Sequence, residues 1–281
     1  MMHAKRTFGK LLTHVFLIAF GLVMIYPLIW LFFASFKSPR EILGSISLFP
    51  SEWVMNSYAE GFKGSGQYTY TTFFLNTFAL VIPVVVFTLI SSTIVAYGFA
   101  RFDFPFKKPL FALMIATLIL PNAIIIIPRY IMFRTYGWLN SYLPFIVPSL
   151  FATAPFFNFM MVQFFRGIPK DLDEAATIDG CGSWGVLIRI LAPVCKPALF
   201  SAGLFQFMWT WNDFFNTLIY IDSVSKYPLS LALRLSIDLE GTVAWNQVIA
   251  MSLLAILPCV LIYFFAQKYF VEGIATTGIK G

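Results

Sequence analysis

The sequence RGIPKDLDEAATIDGCGSWGVLIRILAPVCKP occupies residues 166–197 and interrupts a chain that is otherwise strongly apolar. It holds 8 of the 32 charged residues (19 basic plus 13 acidic) in 32 of the 281 positions. These are Arg166, Lys170, Asp171, Asp173, Glu174, Asp179, Arg189 and Lys196. A charge density this uneven predicts that the segment faces water, and the uncharged stretches around it then determine the fold.

The composition is that of a protein with several membrane spans. Hydrophobic residues make up 59% of the chain, charged residues 11%, and the mean hydropathy is +0.80. Soluble domains carry roughly 25% charged residues. The net charge of +6 therefore reflects basic loops beside a lipid membrane, and we expect no nucleic-acid partner.

Six stretches are long enough to cross a membrane as helices of about 20 residues. They are residues 11–35, 73–100, 110–127, 142–165, 198–221 and 246–267. The sequence predicts an all-α integral membrane protein that forms a single domain over residues 1–281. The first stretch is too long for the core of a cleavable signal peptide. Several spans contain proline, which membrane helices tolerate when neighbouring groups satisfy the freed carbonyls; these prolines include Pro27, Pro83, Pro121 and Pro148.

The distribution of basic residues predicts the orientation of the spans. An even number of spans places both termini on one side, and a cytoplasmic N-terminus leaves 12 of the 19 basic residues inside. Because cytoplasmic loops are enriched in Lys and Arg, we expect both termini and residues 166–197 in the cytoplasm. Arg101, Lys107 and Lys108 are interpreted as a cytoplasmic anchor beside lipid headgroups.

Residues 166–197 have the pattern of two short helices bent at a glycine. Asp171 is predicted to cap the first helix, with Glu174 as its capping-box partner, and Gly180 to end it. A second helix is expected over residues 184–191, stopped by prolines at 193 and 197. On a helical wheel the first helix has an apolar face and a polar face. The apolar face comprises Leu172, Ala175, Ala176 and Ile178, and the polar face comprises Asp173, Glu174 and Thr177. Such a helix either packs under its own bundle or docks a partner.

No catalytic or metal-binding arrangement is visible. The three cysteines, Cys181, Cys195 and Cys259, have no paired spacing, and the two histidines, His3 and His14, lie near the N-terminus. No Gly-x4-Gly-Lys-Ser/Thr stretch is present to hold nucleotide phosphates. We therefore expect a protein that is not an enzyme, has no metal or cofactor of its own, and draws energy from another polypeptide.

Asp213 is the one charged residue inside a predicted span, and Asn212 and Asn216 lie next to it. Charged residues within a membrane are functional by default, because each is costly unless its polar groups are satisfied. Two interpretations are open. Asp213 and its neighbours line a solute path, or Asp213 lies near the outer end of the span and is hydrogen-bonded for structural reasons.

The spacing of the polar segment resembles the EAA loop of ABC importer permeases. Glu174-Ala175-Ala176 is followed after three residues by Gly180, and after nine more by Ile190-Leu191-Ala192-Pro193. The family pattern is EAA, three residues, Gly, nine residues, Ile-x-Leu-Pro. Ala192 stands where Leu is usual, which removes some apolar contact and keeps the proline.

Further stretches resemble the carbohydrate branch of these permeases, whose members are similar to the maltose-type second membrane subunit. They are Ser35-Phe36-Lys37, Ala96-Tyr97-Gly98-Phe99-Ala100-Arg101-Phe102, Trp211-Asn212-Asp213-Phe214 and the tail from Gln267 to Gly281. The resemblance implies a type I ABC importer permease fold with a cytoplasmic coupling helix, in the bacterial inner membrane.

The resemblance also implies roles for particular residues and partners. Glu174, Ala175, Ala176 and Gly180 would form the coupling helix that docks a separate ATPase, and Lys280 and Gly281 would reach toward the ATPase dimer. The partners implied are a second permease subunit, an ABC ATPase dimer that carries ATP and Mg, an extracytoplasmic solute-binding protein and a carbohydrate. Rival interpretations are an ABC permease for another solute, a stand-alone secondary transporter and a membrane-embedded enzyme.

Overall fold

The computed structural model describes residues 2–64, 67–238 and 243–277, and the regular elements there are helical. The helices before the polar segment are α1 (Met2–Ala34), α2 (Pro39–Gly44), α3 (Ser57–Phe62), α4 (Tyr70–Arg101), α5 (Lys107–Thr117), α6 (Asn122–Thr135), α7 (Leu143–Leu150) and α8 (Pro155–Gly167). The remaining helices are α9 (Asp171–Ile178), α10 (Ser183–Gly185), α11 (Ala192–Val194), α12 (Lys196–Trp211), α13 (Phe215–Tyr220), α14 (Leu229–Asp238) and α15 (Trp245–Thr277). A π-helical segment, Val186–Leu191, lies between α10 and α11, and a 3-10 turn occupies Val224–Lys226.

In the described chain, four helical stretches are long and apolar enough to cross a membrane without a sharp break: Gly9–Ala34, Tyr70–Arg101, Leu143–Gly167 and Trp245–Gln267. Two further candidates are bent helix pairs. Lys107–Thr117 meets Asn122–Thr135 at 102°, and Ser183–Val194 meets Lys196–Trp211 at 78°. Counting each pair as one span gives six, the number that the sequence predicts, but the second pair includes residues 183–194 of the polar segment and ends before residues 212–221 of the predicted span. The all-α membrane fold is confirmed.

Three predicted spans are not single continuous helices. The span predicted at 142–165 is divided into α7 and α8, with residues 151–154 between them. The span predicted at 110–127 breaks between α5 and α6, where Pro121 is the N-cap of α6. Proline lacks an N–H group and obstructs the carbonyl four residues earlier, so a helix often ends before it. The span predicted at 198–221 stops at Trp211 and resumes as α13 at Phe215, with Asp213 in the break.

The chain divides into two compact units. The first consists of the described residues within Met1–Tyr70 and Leu233–Leu257. Its predicted outer loop is held by polar contacts: Lys37 is fully buried and its Nζ donates to the carbonyl and hydroxyl of Ser47, while Ser35 Oγ lies 2.9 Å from the hydroxyl of Tyr58. The Ser35-Phe36-Lys37 motif thus lies where α1 meets this loop.

The second unit consists of the described residues within Thr71–Ala232 and Pro258–Gly281. It contains nearly all of α4, all of α5 to α13, and the polar segment. A cluster of buried residues joins α4, α8 and that segment; its members are Ala96, Tyr97, Ala100, Met161, Val162, Phe165, Ala176, Val186, Leu187, Leu191, Cys195 and Ala198. The segment is therefore packed onto the spans of this unit.

Candidate functional site

The polar segment folds into α9, a glycine turn and a second helical stretch. Gly180 has a φ of +83°, which L-residues other than glycine rarely adopt. Its N–H bonds the carbonyl of Thr177 at 3.0 Å, and the N–H of Cys181 bonds that of Ala176 at 2.9 Å. These two bonds form a Schellman motif. The prediction that Gly180 ends the helix is confirmed.

Other local details of the segment differ from the predictions. Asp171 is the first residue of α9, Lys170 precedes it as the N-cap, and no side-chain cap bond forms there. The predicted capping box of Asp171 and Glu174 is therefore wrong. The second helical stretch runs over Ser183–Val194 through the π-helical segment, so Pro193 does not stop it. Pro193 lies one residue before the end of this stretch at Val194.

The two alanines of the motif face in different directions. Ala176 is buried in the cluster with α4 and α8, whereas Glu174 and Ala175 are exposed. Ile178 is 86% exposed. The predicted apolar face is therefore divided: Ala176 faces the bundle, and the face bearing Glu174, Ala175 and Ile178 is open to a partner.

Helix α4 holds the polar segment on both sides of the glycine turn. The Nε of Arg101 lies 2.5 Å from Oδ2 of Asp173, and another guanidinium nitrogen donates to the carbonyl of Ile168 at 3.1 Å. The hydroxyl of Tyr97 donates to the carbonyl of Ser183 at 3.0 Å. The side chain of Arg101 is only 6% exposed. Its interpretation as a headgroup anchor is therefore wrong.

A second polar region surrounds the break after α12. The amide of Asn216 donates to both carboxylate oxygens of Asp213 at 3.0 and 2.9 Å, and its backbone N–H donates to one of them at 3.1 Å. Both residues line a cavity of about 310 Å³. Asn212 is not part of that lining; its amide donates to the carbonyl of Met208 at 2.8 Å. The structure thus brings two of the three predicted path residues together.

The cavity contains several hydrogen-bonding side chains from different helices. They are Thr88, Arg129, Ser149, Thr153, Gln206 and Thr210, beside Asp213 and Asn216. Ligand sites combine apolar walls with a few well-placed polar groups. The contributions of α4 and α6 to the cavity do not follow from the sequence, because helix periodicity does not show which helices meet.

Residues 68–276 match the model of a protein family, which is described as "Binding-protein-dependent transport system inner membrane component". The chain belongs to this family of transport permeases. The match includes both α9 and the cavity residues, and the identification of the ABC permease family from the EAA spacing is confirmed. The permease is a multi-pass membrane protein by family and by its apolar helices.

Curated relatives of the permease cover almost its whole length. It is 30% identical over 273 residues to the probable ABC transporter permease protein YurM of Bacillus subtilis, covering 97% of this chain and 89% of that protein. It is 29% identical to the arabinooligosaccharides transport system permease protein AraQ of Halalkalibacterium halodurans, covering 99% and 100%. The diacetylchitobiose uptake system permease protein NgcG of Streptomyces coelicolor is 27% identical, with 92% and 84% covered.

Solved structures support the fold of the permease. A chain of a bacterial ABC transporter involved in the import of the acidic polysaccharide alginate superposes with a TM-score of 0.81 at 24% identity, covering 95% of this chain and 98% of that chain. A chain of the bacterial alginate ABC transporter in complex with an alginate pentasaccharide-bound periplasmic protein superposes with a TM-score of 0.63 at 15% identity, covering 93% of each chain.

The predicted ATPase-contacting tail residues, Lys280 and Gly281, lie outside the described residues.

Proposed function

We propose that this permease passes a sugar or oligosaccharide across the bacterial inner membrane, driven by separate ATPase subunits that dock on α9. The observation that carries the proposal is the exposed face of Glu174, Ala175 and Ile178 on a helix anchored to the spans. A helix that transmits the movement of a docked partner needs an exposed face for the partner and a rigid attachment to its own spans, and α9 has both.

The proposed complex contains a second permease subunit, an ABC ATPase dimer and an extracytoplasmic solute-binding protein. ATP and Mg are bound by the ATPases, and this chain contributes no cofactor and no catalysis. Both of its termini are proposed to lie in the cytoplasm with α9. Closure of the ATPases then favours one of two arrangements of the spans, because nucleotide binds one state of the complex more tightly than the other.

Two observations support a carbohydrate as the solute. Its relatives include an arabinooligosaccharides transport system permease and a diacetylchitobiose uptake system permease, and the cavity offers carboxylate, amide, guanidinium and hydroxyl groups together. These groups match the donors and acceptors of sugar hydroxyls. In this proposal Asp213 and Asn216 line the path directly, and Asn212 lies beside it.

The test is an uptake panel of saccharides in cells that lack this chain and are complemented with variants. Wild type is expected to restore uptake of one saccharide. Asp213→Ala is expected to reduce that uptake about tenfold or more, because a hydrogen bond to a charged group contributes about 1.5–3 kcal/mol. Asn212→Ala is the matched control and is expected to retain the wild-type rate.

Each alternative gives a different result in the same panel. Restored uptake of an amino acid, a metal ion or phosphate in place of any saccharide would identify another solute. Uptake that persists without an ATPase subunit would indicate a secondary transporter. If Asp213→Ala takes up the solute at the wild-type rate, Asp213 has only a structural role.

A further inference from the structure

Helix α4 connects the polar segment to the cavity. Tyr97 and Arg101, near its C-terminal end, bond the segment, while Val84 and Thr88 of the same helix line the cavity. Arg101 lies thirteen positions after Thr88 on one continuous helix, so the end that bonds the polar segment is about 20 Å from the part that lines the cavity. A helix of this length is a rigid element, and rigid elements carry coupling between distant sites.

The contacts of Arg101 hold two parts of the polar segment at once. The guanidinium pairs with Asp173 on α9 and donates to the carbonyl of Ile168, three residues before α9 begins. Both side chains of the ion pair are shielded from water, with 6% and 19% of their surfaces exposed. A buried charge left without its partner is strongly unfavourable. The geometry therefore fixes α9 in one position against the end of α4.

Apolar packing alone holds the segment less specifically. Ala96 and Ala100 of α4 pack in the same cluster as Ala176 and Leu187, and small side chains allow two helices to slide past each other. Directional hydrogen bonds to fixed acceptors define position better than such contacts. Arginine is suited to this because its planar guanidinium donates to the carbonyl of Ile168 and places its charge beside Asp173 in one fixed geometry, which lysine does not reproduce.

We propose that Arg101 is a positioning residue for energy coupling. It fixes α9 to the end of α4, so that a displacement of α9 by a docked ATPase is transmitted along α4 to the cavity. This inference rests on the proposed function of α9 as the docking helix. The apolar cluster keeps the segment folded when the ion pair is removed, but α9 then moves without displacing α4.

The test compares solute transported per ATP hydrolysed in proteoliposomes that contain the complete transporter. The variants are Arg101→Gln, Asp173→Asn, the double variant, and Arg101→Lys. We expect the ratio to fall about tenfold in both single variants, a scale within the range for residues on a coupling path. Arg101→Lys should give an intermediate ratio. The control is Lys107→Gln, six residues after Arg101, which removes the ion pair of Lys107 with the exposed Asp103.

The double variant separates positioning from simple charge compensation. It leaves no unpaired buried charge, so the transporter should assemble with its ATPase while the transport ratio stays low. A wild-type transport ratio in the double variant would overturn the proposal. Failure of the double variant to assemble with its ATPase would also overturn it, because the pair of Arg101 and Asp173 would then be needed for folding. Absence of ATP-driven uptake in the wild-type transporter would instead refute the proposed function and this inference with it.

Discussion

Replacing Glu174 with arginine is expected to reduce solute uptake to less than about a tenth of the wild-type rate, because a charge of the wrong sign within a protein interface costs several kcal/mol of association free energy. Glu174 is exposed on α9 beside Ala175, so the chain itself should remain folded in the membrane. The measurements are uptake in cells, the amount of chain in the membrane fraction and the amount of ATPase recovered with it.

The matched control is Asp103→Arg, which makes the same change of charge on the loop between α4 and α5. Asp103 is 96% exposed, and its hydrogen bond to Lys107 holds the pKa of its carboxyl below the usual range. This variant should retain both uptake and ATPase. Equal losses in the two variants would show that surface charge in general, and not the exposed face of α9, controls the interaction.

Leucine at position 176 is expected to destabilise the chain, whereas leucine at position 175 is expected to affect only its partner. Ala176 is 5% exposed and packs among Phe165, Ala96 and Leu187, so the added atoms cost about 1–3 kcal/mol of folding free energy. Ala175 is exposed, and surface substitutions usually change stability by less than about 0.5 kcal/mol. The added side chain at 175 should obstruct docking.

Thermal unfolding of the purified chain and recovery of the ATPase distinguish these two effects. Ala176→Leu should lower the unfolding temperature, and Ala175→Leu should leave it unchanged while reducing the ATPase recovered. The reverse pattern would mean that the exposed and buried faces of α9 are exchanged. Unchanged ATPase recovery in Ala175→Leu would remove Ala175 from the interface.

The all-α membrane fold follows directly from composition, and the structure confirms it. Composition does not predict whether each span is straight. Pro83 and Pro258 lie inside unbroken helices, whereas the helix stops before Pro121. A proline weakens a helix at any of these positions, and neighbouring helices decide whether the freed carbonyls are satisfied. That information lies in packing, which a single sequence does not contain.

The candidate site was predictable to a similar extent. The EAA spacing places Glu174 and Gly180 correctly at the surface and at the helix end, because both depend on local chain geometry. The ion pair of Arg101 with Asp173 joins residues 72 positions apart (173 minus 101), and periodicity does not show which two helices meet. The stretch from Ala96 to Phe102, which resembles the carbohydrate permeases, was the one signal that could have found it.

The most direct test of the central claim is photo-crosslinking from the exposed face of α9 in the intact transporter. A photoreactive residue replaces Ile178, which is 86% exposed, and the control replaces Ile46, which is 95% exposed in the predicted outer loop. Docking on α9 predicts an adduct with the ATPase, identified by mass spectrometry, from position 178 and none from position 46. No ATPase adduct from position 178, in a complex from which the ATPase is recovered, would contradict the claim.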